Sequence, residues 1–427
     1  MTYFIFSLGC KVNSYECSAL ASSLRKRGYF EDRENPDVVI INTCSVTATA
    51  DQKSRQHIRK FQHMYPQAII VVMGCYVQGN PWYVYDEIKA DIIVGTSHRN
   101  EIPDLIEQYL NDPKHSQILI VDKNMRSRQC YEELGVTSYS ENIRAYLKIQ
   151  DGCDNFCSYC LIPYRRGSSR SRKKEDVILE AKHLIEKGYQ EIVLTGIDVS
   201  SYGKDLGEYT LVDLVKELLS LDNIPSLRIS SIEAGDMSNE LLELYGSHNA
   251  LAKHMHIPLQ SGSQTVMERM HRKYSKDLYL QKIKQLREYC PDIMISTDVI
   301  VGFPGETEEE FLETRDFIIQ CGFNQLHVFP FSPREQTLAY SMTCQVADSV
   351  KKERVRNLLK LSKELWNEYV NKFINQDIEV LIEKYNETKK VNIGHTSNYI
   401  EVAIPSEEGR VGQKVTVKLQ KSMIISK

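Results

Sequence analysis

Short apolar runs alternate with amphipathic stretches along most of the chain, and this alternation restricts the fold more than any other feature. From Ile143 onward it predicts six strands with a helix between each pair: Tyr146–Ile149, Glu191–Thr195, Leu227–Ile232, His254–Leu259, Ile293–Val301 and Gln325–Phe331. Such spacing is typical of parallel sheets, because a parallel pair needs a long crossover connection. We therefore predict an α/β fold in which residues 143–371 form a full or partial barrel, with its site at the carboxyl ends of the strands.

The first 124 residues show the same alternation and predict an open parallel sheet. The expected elements are strands at Tyr3–Leu8, Val38–Asn42, Ile69–Met73 and Asp91–Val94, and helices at Ser14–Arg27, Thr49–Met64 and His98–Leu110. Cys10, Cys44 and Cys75 each come within two residues of the end of one of the first three strands. Because the carboxyl ends of parallel strands share one edge of a sheet, we expect the three thiols to meet there. The alternative is three buried cysteines that act as small hydrophobic residues.

The remaining segments differ in character. Residues 125–142 are polar and weakly periodic, so we predict a linker there. A long, charged, amphipathic helix over Val346–Lys372 follows the barrel. Short alternating runs then predict a small antiparallel β domain over residues 372–427, with strands at Ile378–Glu383, Lys390–Gly394, Tyr399–Ala403 and Lys414–Lys418.

A second group of cysteines lies in one short segment that follows the first predicted barrel strand. Cys153, Cys157 and Cys160 are close enough in sequence for one loop to wrap three thiolates around a metal centre. Thiolates favour zinc, cuprous ions or iron–sulfur clusters. A closed zinc or iron–sulfur site needs four protein ligands. The nearest further candidates, Cys130 and His183, are distant in sequence. Three ligands favour a [4Fe–4S] cluster with one open iron; the alternative is a structural zinc loop with a distant fourth ligand.

Composition excludes several classes of protein. A net charge of −4 gives no global basic field for nucleic acid, so any such partner must meet local patches. The chain opens directly into a strand-like run with no basic leader, and its longest apolar runs are too short to span a bilayer. We therefore expect a cytoplasmic protein without a membrane partner. In that setting eleven cysteines indicate reduced thiols and metal chemistry over disulfides.

The amino-acid sequence around both groups of cysteines resembles that of a known family. The segment from Ile149 to Pro163, IQDGCDNFCSYCLIP, is similar to the cluster loop of radical S-adenosylmethionine (SAM) enzymes, and specifically to the methylthiotransferase branch. That resemblance implies a partial six-unit barrel and a [4Fe–4S] cluster on Cys153, Cys157 and Cys160. The open iron of this cluster would chelate the amino and carboxylate groups of SAM and pass an electron that yields a 5′-deoxyadenosyl radical.

The N-terminal segments GCKVN, NTCSVT and GCYVQ resemble the N-terminal methylthiotransferase domain of the same family. This implies a second, auxiliary [4Fe–4S] cluster on Cys10, Cys44 and Cys75, again with an open iron. The wording GCKVN is similar to the subgroup that modifies threonylcarbamoyladenosine in tRNA.

The resemblance also suggests a binding site for SAM. Thr195 and Gly196 would approach its amino group through backbone oxygens, and Arg166 would neutralise its carboxylate. A carboxylate after the third strand would accept the ribose hydroxyls, and residues of the fourth and fifth strands would line the pocket and the adenine. The full set is Tyr159, Arg166, Thr195, Gly196, Glu233, His256, Gln260 and Val301. Each has an ordinary structural alternative, since glycine and proline also serve as turn residues and a strand histidine usually has its partners within the protein.

Two regions are candidates for RNA binding. The run from Arg165 to Lys174 carries six basic residues and no acid, and arginine suits bidentate phosphate contact. Its candidates are Arg165, Arg170, Arg172, Lys173 and Lys174; the alternative is a solvated start of a helix. The segment from Gly394 to Val402 resembles a TRAM domain, the RNA-binding module of this family, where His395 and Tyr399 would stack on bases. As core or turn residues they would be equally ordinary.

Together these patterns predict a tRNA methylthiotransferase. The resemblance implies insertion of a methylthio group at C2 of N6-threonylcarbamoyladenosine at tRNA position 37, beside the anticodon. It also implies the tRNA anticodon loop and a flavodoxin- or ferredoxin-like electron donor as partners. One alternative is methylthiolation of isopentenyladenosine in tRNA or of a ribosomal-protein side chain. Another is a non-catalytic, zinc-containing RNA-binding protein.

Overall fold

A six-stranded parallel sheet forms the N-terminal domain of the computed structural model, which describes residues 1–128, 130–136 and 143–425. The spatial order of the strands is β2-β1-β3-β4-β5-β6. Their bounds are β1 Thr2–Ser7, β2 Phe30–Glu31, β3 Val38–Thr43, β4 Ile69–Gly74, β5 Ile92–Val94 and β6 Ile118–Ile120. The predicted open parallel sheet is confirmed, and the two short edge strands β2 and β6 are additions to the prediction.

Helices cover both faces of this sheet. They are α1 Lys11–Lys26, α2 Ala48–Met64, α3 Cys75–Gly79, α4 Pro81–Tyr83, which continues into a π turn at Val84–Ile88, and α5 Ile102–Asn111. Every residue of β3 and β4 is buried, and alternate side chains enter two separate cores. Burial on both faces explains why these strands appear in the sequence as continuous apolar runs.

The central domain is a curved sheet of six parallel strands in two three-stranded halves, β11-β10-β7 and β12-β13-β14. Backbone hydrogen bonds join the halves at Leu227, whose N–H donates to Ala250 O at 2.7 Å and whose carbonyl accepts from Ala252 N at 2.8 Å. The strands are β7 Arg144–Lys148, β8 Gln150–Asp151, β9 Arg170–Ser171, β10 Glu191–Thr195, β11 Ser226–Ile229, β12 His254–His256, β13 Met294–Val301 and β14 Gln325–Pro330. The predicted six-unit partial barrel is confirmed; β8 and β9 form a separate antiparallel ribbon.

Helices connect successive barrel strands or follow the last one, and they enclose one large apolar core. They are α6 Ile162–Arg166, α7 Lys174–Glu186, α8 Leu211–Leu219, α9 Asn239–Ser247, α10 Gln264–Arg269, α11 Lys276–Tyr289, α12 Glu308–Cys321, α13 Leu338–Ser341 and α14 Asp348–Asn371. Several begin where the sequence offers a cap: Thr210 and Thr307 each form a reciprocal capping box with the acid three residues later. Among the described residues no helix combines the length and apolar character needed to cross a membrane.

A four-stranded antiparallel sheet of order β17-β16-β15-β18 forms the C-terminal domain. Its strands are β15 Asp377–Asn386, β16 Val391–Thr396, β17 Glu401–Pro405 and β18 Lys414–Lys418. The inner face of the sheet packs on Trp366, Tyr369 and Phe373 near the end of α14, and on Met294 of the barrel. This domain therefore shares its core with the barrel.

The segment predicted as a linker packs closely where the structure describes it. Glu132 accepts hydrogen bonds from Arg99 Nε at 2.9 Å and Nη2 at 2.6 Å, and Val136 is buried in the barrel core. The segment is polar because it supplies acids to buried arginines, so polarity here does not indicate a loose connection. Residue 129 and residues 137–142 of the predicted linker lie outside the described residues.

Candidate active site

Three cysteines from three strand ends gather at one edge of the N-terminal sheet. Cys10 is the residue before α1, Cys44 follows β3, and Cys75 begins α3 directly after β4. The strands β1, β3 and β4 are adjacent and parallel, so their carboxyl ends meet. Burial raises the pKa of Cys44 to about 11, and the nearby Cys75 and Cys10 act in the same direction. We call these residues the auxiliary trio.

Local backbone geometry holds the auxiliary trio together. Gly9 has φ of +106°, and a Cβ added there would lie 2.9 Å from Cys44 Cβ and 3.1 Å from Cys44 Sγ. Asn13 donates from Nδ2 to Leu8 O at 2.6 Å and to Thr43 O at 3.2 Å, and its Oδ1 lies 3.6 Å from Cys10 Sγ. One amide side chain therefore ties the ends of two strands to each other and to the first thiol.

The other three cysteines, the central trio, lie on one loop after β8. Gly152 has φ of +77° there, and an added Cβ would come within 1.9 Å of Ser168 O. Backbone N–H groups point at two of the sulfurs: Asn155 N lies 3.5 Å from Cys153 Sγ, and Ile162 N lies 3.4 Å from Cys160 Sγ. Such donors stabilise metal-bound thiolates. Burial raises the pKa of Cys160 to about 12, so binding a metal there would release a proton.

A buried arginine contacts each trio. Arg272 donates from Nη1 to Cys157 Sγ at 3.4 Å and pairs through Nη2 with Glu233 at 2.5 Å. Arg166 donates from Nε to Cys75 Sγ at 3.4 Å. Hydrogen bonds from guanidinium groups compensate the negative charge that three thiolates bring to a cluster. Both trios therefore have the soft donors and the positive surroundings that an iron–sulfur cluster requires.

An almost fully buried ionic cluster joins the two trios. Arg166 pairs with Glu16 Oε1 at 2.7 Å and with Asp151 Oδ1 at 3.2 Å, and Lys148 pairs with Asp151 Oδ2 at 2.7 Å. Arg99 contacts Glu16 as well. Glu16 belongs to the helix that follows Cys10, whereas Asp151 stands two residues before Cys153. The cluster thus connects the N-terminal domain to the cluster loop of the barrel.

Charge balance governs the titration of this cluster. Burial alone would raise the pKa of Glu16, but the charges of Arg166, Arg99 and Lys148 together lower it well below its usual range. The pKa of Asp151 is also well below its usual range, because Lys148 and the neighbouring arginines outweigh the effect of burial. Both carboxylates are therefore ionised at neutral pH, and each needs its cations in place.

A cavity of about 640 Å³ opens where all three domains meet. Its size is in the range of small-molecule sites in proteins. The N-terminal domain contributes the loop of the auxiliary trio, and the C-terminal domain contributes a tyrosine. The barrel contributes residues of β12, β13 and β14 together with the carboxyl ends of β10 and β11. The lining residues that matter below are Cys10, Lys11, Thr195, Gly196, His256, Asp298, His327 and Tyr399. The auxiliary trio therefore faces the mouth of the barrel.

Comparisons with known proteins agree with this geometry. A model of the radical SAM superfamily matches residues 147–318, and a model described as uncharacterized protein family UPF0004 matches residues 2–95. The threonylcarbamoyladenosine tRNA methylthiotransferase MtaB of Bacillus subtilis (strain 168) is 42% identical over 99% of this chain and 94% of its own length. The chain belongs to the radical SAM methylthiotransferase family. The predicted family is confirmed.

Other relatives of this methylthiotransferase match over nearly the whole chain. The MtaB protein of Aquifex aeolicus (strain VF5) is 36% identical over 98% of both chains. The tRNA-2-methylthio-N(6)-dimethylallyladenosine synthase of Thermoanaerobacter sp. (strain X514) is 37% identical over 98% of this chain and 90% of its own. Among solved structures, the radical SAM methyltransferase TsrM of Kitasatospora setae has a TM-score of 0.59 at 14% identity and covers 79% of this chain and 77% of its own. That likeness shows a shared fold.

SAM and [4Fe–4S] clusters are the cofactors of the methylthiotransferase family, and the residues of this chain fit them. Three of the predicted SAM-site residues, Thr195, Gly196 and His256, line the cavity. Glu233 adjoins the central trio through Arg272, as does Tyr159, whose hydroxyl lies 3.4 Å from Arg272 Nη1. The individual roles of these residues stay predictions.

The last two predicted SAM-site residues belong to the barrel walls. Gln260 extends β12 towards β13: its N–H donates to Asp298 O at 2.8 Å, and its carbonyl accepts from Ile300 N at 2.8 Å. Val301 is fully buried in the barrel core. Their predicted contacts with SAM also stay predictions.

Arg166 requires a correction. We expected it to neutralise the carboxylate of SAM, but its guanidinium is 1% exposed and is occupied by Glu16, Asp151, Asn13 and Cys75. Its position in the motif therefore places it against the auxiliary trio. Since N-terminal residues supply most of these partners, the sequence around Arg166 could not reveal them.

Most of the predicted RNA-binding arginines also require correction. Arg165, Arg170 and Arg172 are buried: Arg165 donates to Gln336 at 2.8 Å, Arg170 donates to backbone carbonyls, and Arg172 pairs with Glu180 at 2.7 Å. A buried guanidinium with acceptors inside the protein has no free surface for a phosphate. The basic run looked uncompensated because the acceptors of Arg165 and Arg172 lie outside it, and those of Arg170 are backbone carbonyls.

The lysines and the C-terminal candidates differ from one another. Lys173 is exposed, and Lys174 pairs with Glu217 at 2.8 Å near the surface. His395 is buried and contacts Glu383 at 3.0 Å, so it cannot stack on a base. Tyr399 lines the cavity, with its ring 4.8 Å from that of His254 and 4.3 Å from the guanidinium carbon of Arg228. Tyr399 thus lies on the wall of the cavity.

Several site residues escaped the sequence interpretation. Arg272 and Glu16 lie in no motif that we recognised. Asp198, which is not among the predicted site residues, accepts from Asn155 Nδ2 at 3.0 Å and lies 3.7 Å from Cys153 Sγ. Asp298 and His327 join His256 on one wall of the cavity, where ligand atoms of all three lie within 4.8 Å of one another. Polar residues within two successive barrel strands were the signal that could have identified this wall, because barrel interiors are mostly apolar.

Proposed function

We propose that this chain inserts a methylthio group at C2 of N6-threonylcarbamoyladenosine at position 37 of tRNA, beside the anticodon. One observation carries the proposal: a single cavity is lined by the loop of the auxiliary trio, by five strands of the barrel or the residues that follow them, and by the C-terminal domain. The 42% identity to a relative named for this nucleoside supports the choice of substrate.

The two trios divide the task. Cys153, Cys157 and Cys160 would hold the cluster that binds SAM, and Cys10, Cys44 and Cys75 would hold the auxiliary cluster. When bound, these groups supply one-electron cleavage of SAM and the sulfur that is transferred. The hydrogen on C2 of an adenine is not acidic, and C2 carries no leaving group. The acid–base and nucleophilic chemistry of ordinary side chains therefore cannot replace this hydrogen with sulfur. This explains why one enzyme would combine two metal centres.

The chain itself supplies position and protection from water. Arg272 and Arg166 hold their thiolates through hydrogen bonds, and the buried ionic cluster keeps the N-terminal domain against the barrel. Hydroxyl and imidazole groups along the strand ends would orient the substrate inside the cavity. These groups would act by binding and orientation, and none of them needs to exchange a proton with C2.

The proposed partners follow from the substrate. An anticodon loop is single-stranded, so the target base can leave its stack and enter a protein cavity. SAM cleavage needs an external electron, for which we propose a flavodoxin- or ferredoxin-like protein. Both partners would be met in the cytoplasm, which is our proposed location for the protein.

Mass spectrometry of tRNA nucleosides, from cells with and without the gene, tests this proposal. We expect 2-methylthio-N6-threonylcarbamoyladenosine to disappear and the unthiolated nucleoside to accumulate. Loss of 2-methylthio-isopentenyladenosine instead would support isopentenyladenosine in tRNA as the substrate. A product found only in a ribosomal protein would support a ribosomal-protein side chain as the substrate. Purified protein that is colourless and carries stoichiometric zinc would contradict all three.

A further inference from the structure

The wall of the cavity beside Cys10 carries positive charge that the protein does not balance. Lys11 follows Cys10 and lines the cavity. Tyr399 lines the same cavity, and the guanidinium groups of Arg228 and Arg144 lie over its ring at 4.3 and 5.5 Å. Glu191 is the acid that contacts both arginines. In the part of the chain that the structure describes, the Lys11 ammonium has neither an ion pair within 4.0 Å nor a side-chain hydrogen bond. A partly buried ammonium without an acceptor is unfavourable unless a ligand supplies one.

The nearby acids are already occupied by other cations. Glu191 is buried, and its two oxygens contact Arg228 at 2.7 Å and Arg144 at 2.6 Å. Glu383 contacts Arg144 at 3.1 Å and His395 at 3.0 Å. Both carboxylates are thus bound to guanidinium groups, and neither forms an ion pair with Lys11 among the described residues. The protein leaves the amino group of Lys11 free for an acceptor from a ligand.

The remaining acid of the cavity does not supply that charge. Asp298 lies on β13, and its carboxylate contacts His256 Nε2 at 3.3 Å. The other lining groups near Lys11 are neutral: the backbone of Gly9, the side chain of Val12 and the hydroxyls of Ser230 and Ser231. An anion bound at Lys11 would therefore meet one unpaired ammonium and hydroxyl donors, while the Asp298 carboxylate of the same cavity contacts His256.

We propose that Lys11 binds the carboxylate of the threonylcarbamoyl group and thereby selects this nucleoside over one with an apolar N6 substituent. The inference rests on the proposed function, because it takes threonylcarbamoyladenosine as the substrate. The threonine part carries a carboxylate and a hydroxyl, which match the ammonium and the serine hydroxyls. An isopentenyl group offers neither, so it would leave Lys11 unpaired, and an unpaired polar group in the site is an effective basis of discrimination.

Binding of matched RNAs to the full-length, anaerobically reconstituted protein tests this role. Three anticodon stem-loops would differ only at residue 37, which would be threonylcarbamoyladenosine, its carboxyl methyl ester or adenosine. We expect the protein without substitutions to bind the RNA with the free acid about 10- to 100-fold more tightly than the RNA with the ester. This ratio corresponds to the typical free energy of a hydrogen bond to a charged group. Lys11→Met should remove most of that ratio, and Lys11→Arg should keep the ratio within about threefold because the charge remains.

Control measurements separate this role from a structural one. Lys26→Met, at the exposed end of the same helix, should leave the ratio unchanged. Iron content and SAM affinity should be the same in Lys11→Met as in the parent. A Lys11→Met protein that keeps the acid-to-ester ratio would overturn the proposal.

Two other outcomes would overturn it in informative ways. Equal weakening of all three RNAs would show that Lys11 meets an RNA phosphate. Loss of SAM affinity with an intact RNA ratio would show that it meets the carboxylate of SAM. Failure of the proposed function would give a different result. The protein without substitutions would discriminate between the acid and the ester but would form no methylthio product on any of these RNAs.

Discussion

The two cysteine trios reach the same chemistry by opposite routes. The central trio spans eight residues of one loop, so its ligands are neighbours as soon as that loop turns. The auxiliary trio takes one cysteine from each of three strand ends, and its first and last members are sixty-five positions apart. Its ligands meet only after three parallel strands have paired in the correct order. One site depends on local geometry and the other on the topology of a domain.

The two sites nevertheless share their supporting devices. Each has a glycine with positive φ beside it, Gly9 or Gly152, and each has a buried arginine on a sulfur, Arg166 or Arg272. The difference is where the support comes from. Arg272 belongs to the same domain as its trio, whereas Arg166 reaches across from the barrel to the N-terminal domain. The auxiliary trio is therefore the one that depends on how the domains dock.

Removing one ligand from each trio should separate the two activities most sharply. Cys157→Ala should lower 5′-deoxyadenosine formation by at least about a thousandfold, since radical formation has no alternative route. Cys44→Ala should still form 5′-deoxyadenosine but should make no methylthio product, and its iron content should fall by about half if each trio holds one equivalent cluster. Chromatography with mass detection follows both products. Loss of 5′-deoxyadenosine formation in Cys44→Ala with central-cluster iron intact would contradict this division.

The buried arginine at the domain junction should dominate stability. Arg166→Met leaves Glu16 and Asp151 short of one cation, and breaking a buried ion pair from one side costs about 3–5 kcal/mol. Chemical denaturation under anaerobic conditions measures this as a lower midpoint of the transition that involves the N-terminal domain. Arg27→Met provides the control, because Arg27 pairs with Asp104 at the surface, where one partner is 63% exposed. There we expect less than about 1 kcal/mol. Equal losses in the two variants would contradict a special role for the junction.

The two glycines sharpen the comparison further. Gly152→Ala would bring a Cβ within 1.9 Å of a backbone oxygen, and Gly9→Ala would press on the Cys44 side chain at 2.9 Å. Positive-φ strain alone costs about 1–3 kcal/mol for a residue with a side chain. We expect Gly152→Ala to lose iron and 5′-deoxyadenosine formation, and Gly9→Ala to lose mainly the methylthio product.

Gly188→Ala is the matched control for strain without a clash. Its φ is +81°, and nothing lies within 4 Å of an added Cβ. This variant should keep its iron and both products, and its stability should fall only by the cost of strain, about 1–3 kcal/mol. If Gly188→Ala loses iron as well, backbone strain rather than contact with the trios explains the glycine effects.

The smallest expected effect concerns a second tie between barrel and auxiliary trio. Arg334 contacts Asp51 and donates to Ser45 Oγ at 3.2 Å, one residue after Cys44. Arg334→Ala should cost about 1 kcal/mol, the typical net value of such hydrogen bonds. It should lower methylthio product more than 5′-deoxyadenosine, which single-turnover assays would resolve. Arg315→Ala, at an exposed pair with Asp316, should change neither.

Local patterns in the sequence were enough to predict both trios and the architecture around them. The period of apolar residues revealed the strands of two parallel sheets, and the cysteines at strand ends followed from their order. The loop of the central trio needed no tertiary information, since eight consecutive residues contain all three ligands. Edge strands such as β2, two residues long, escaped because they carry too little periodic signal.

Only the tertiary structure decided which charged residues are buried partners. Arg165, Arg170 and Arg172 appeared to be a free basic patch. Yet Arg165 and Arg172 bind side chains of other segments, and Arg170 binds backbone carbonyls of its own loop. Arg166 was assigned to SAM and instead bridges Glu16 and Cys75, which are far from it in sequence. The sequence shows that a side chain is charged. Which group it pairs with depends on which other segments fold against it. Periodicity is a local property of the sequence, and the predictions that used it were confirmed. Charge pairing often depends on long-range contacts, and the predictions that assumed free charges were wrong.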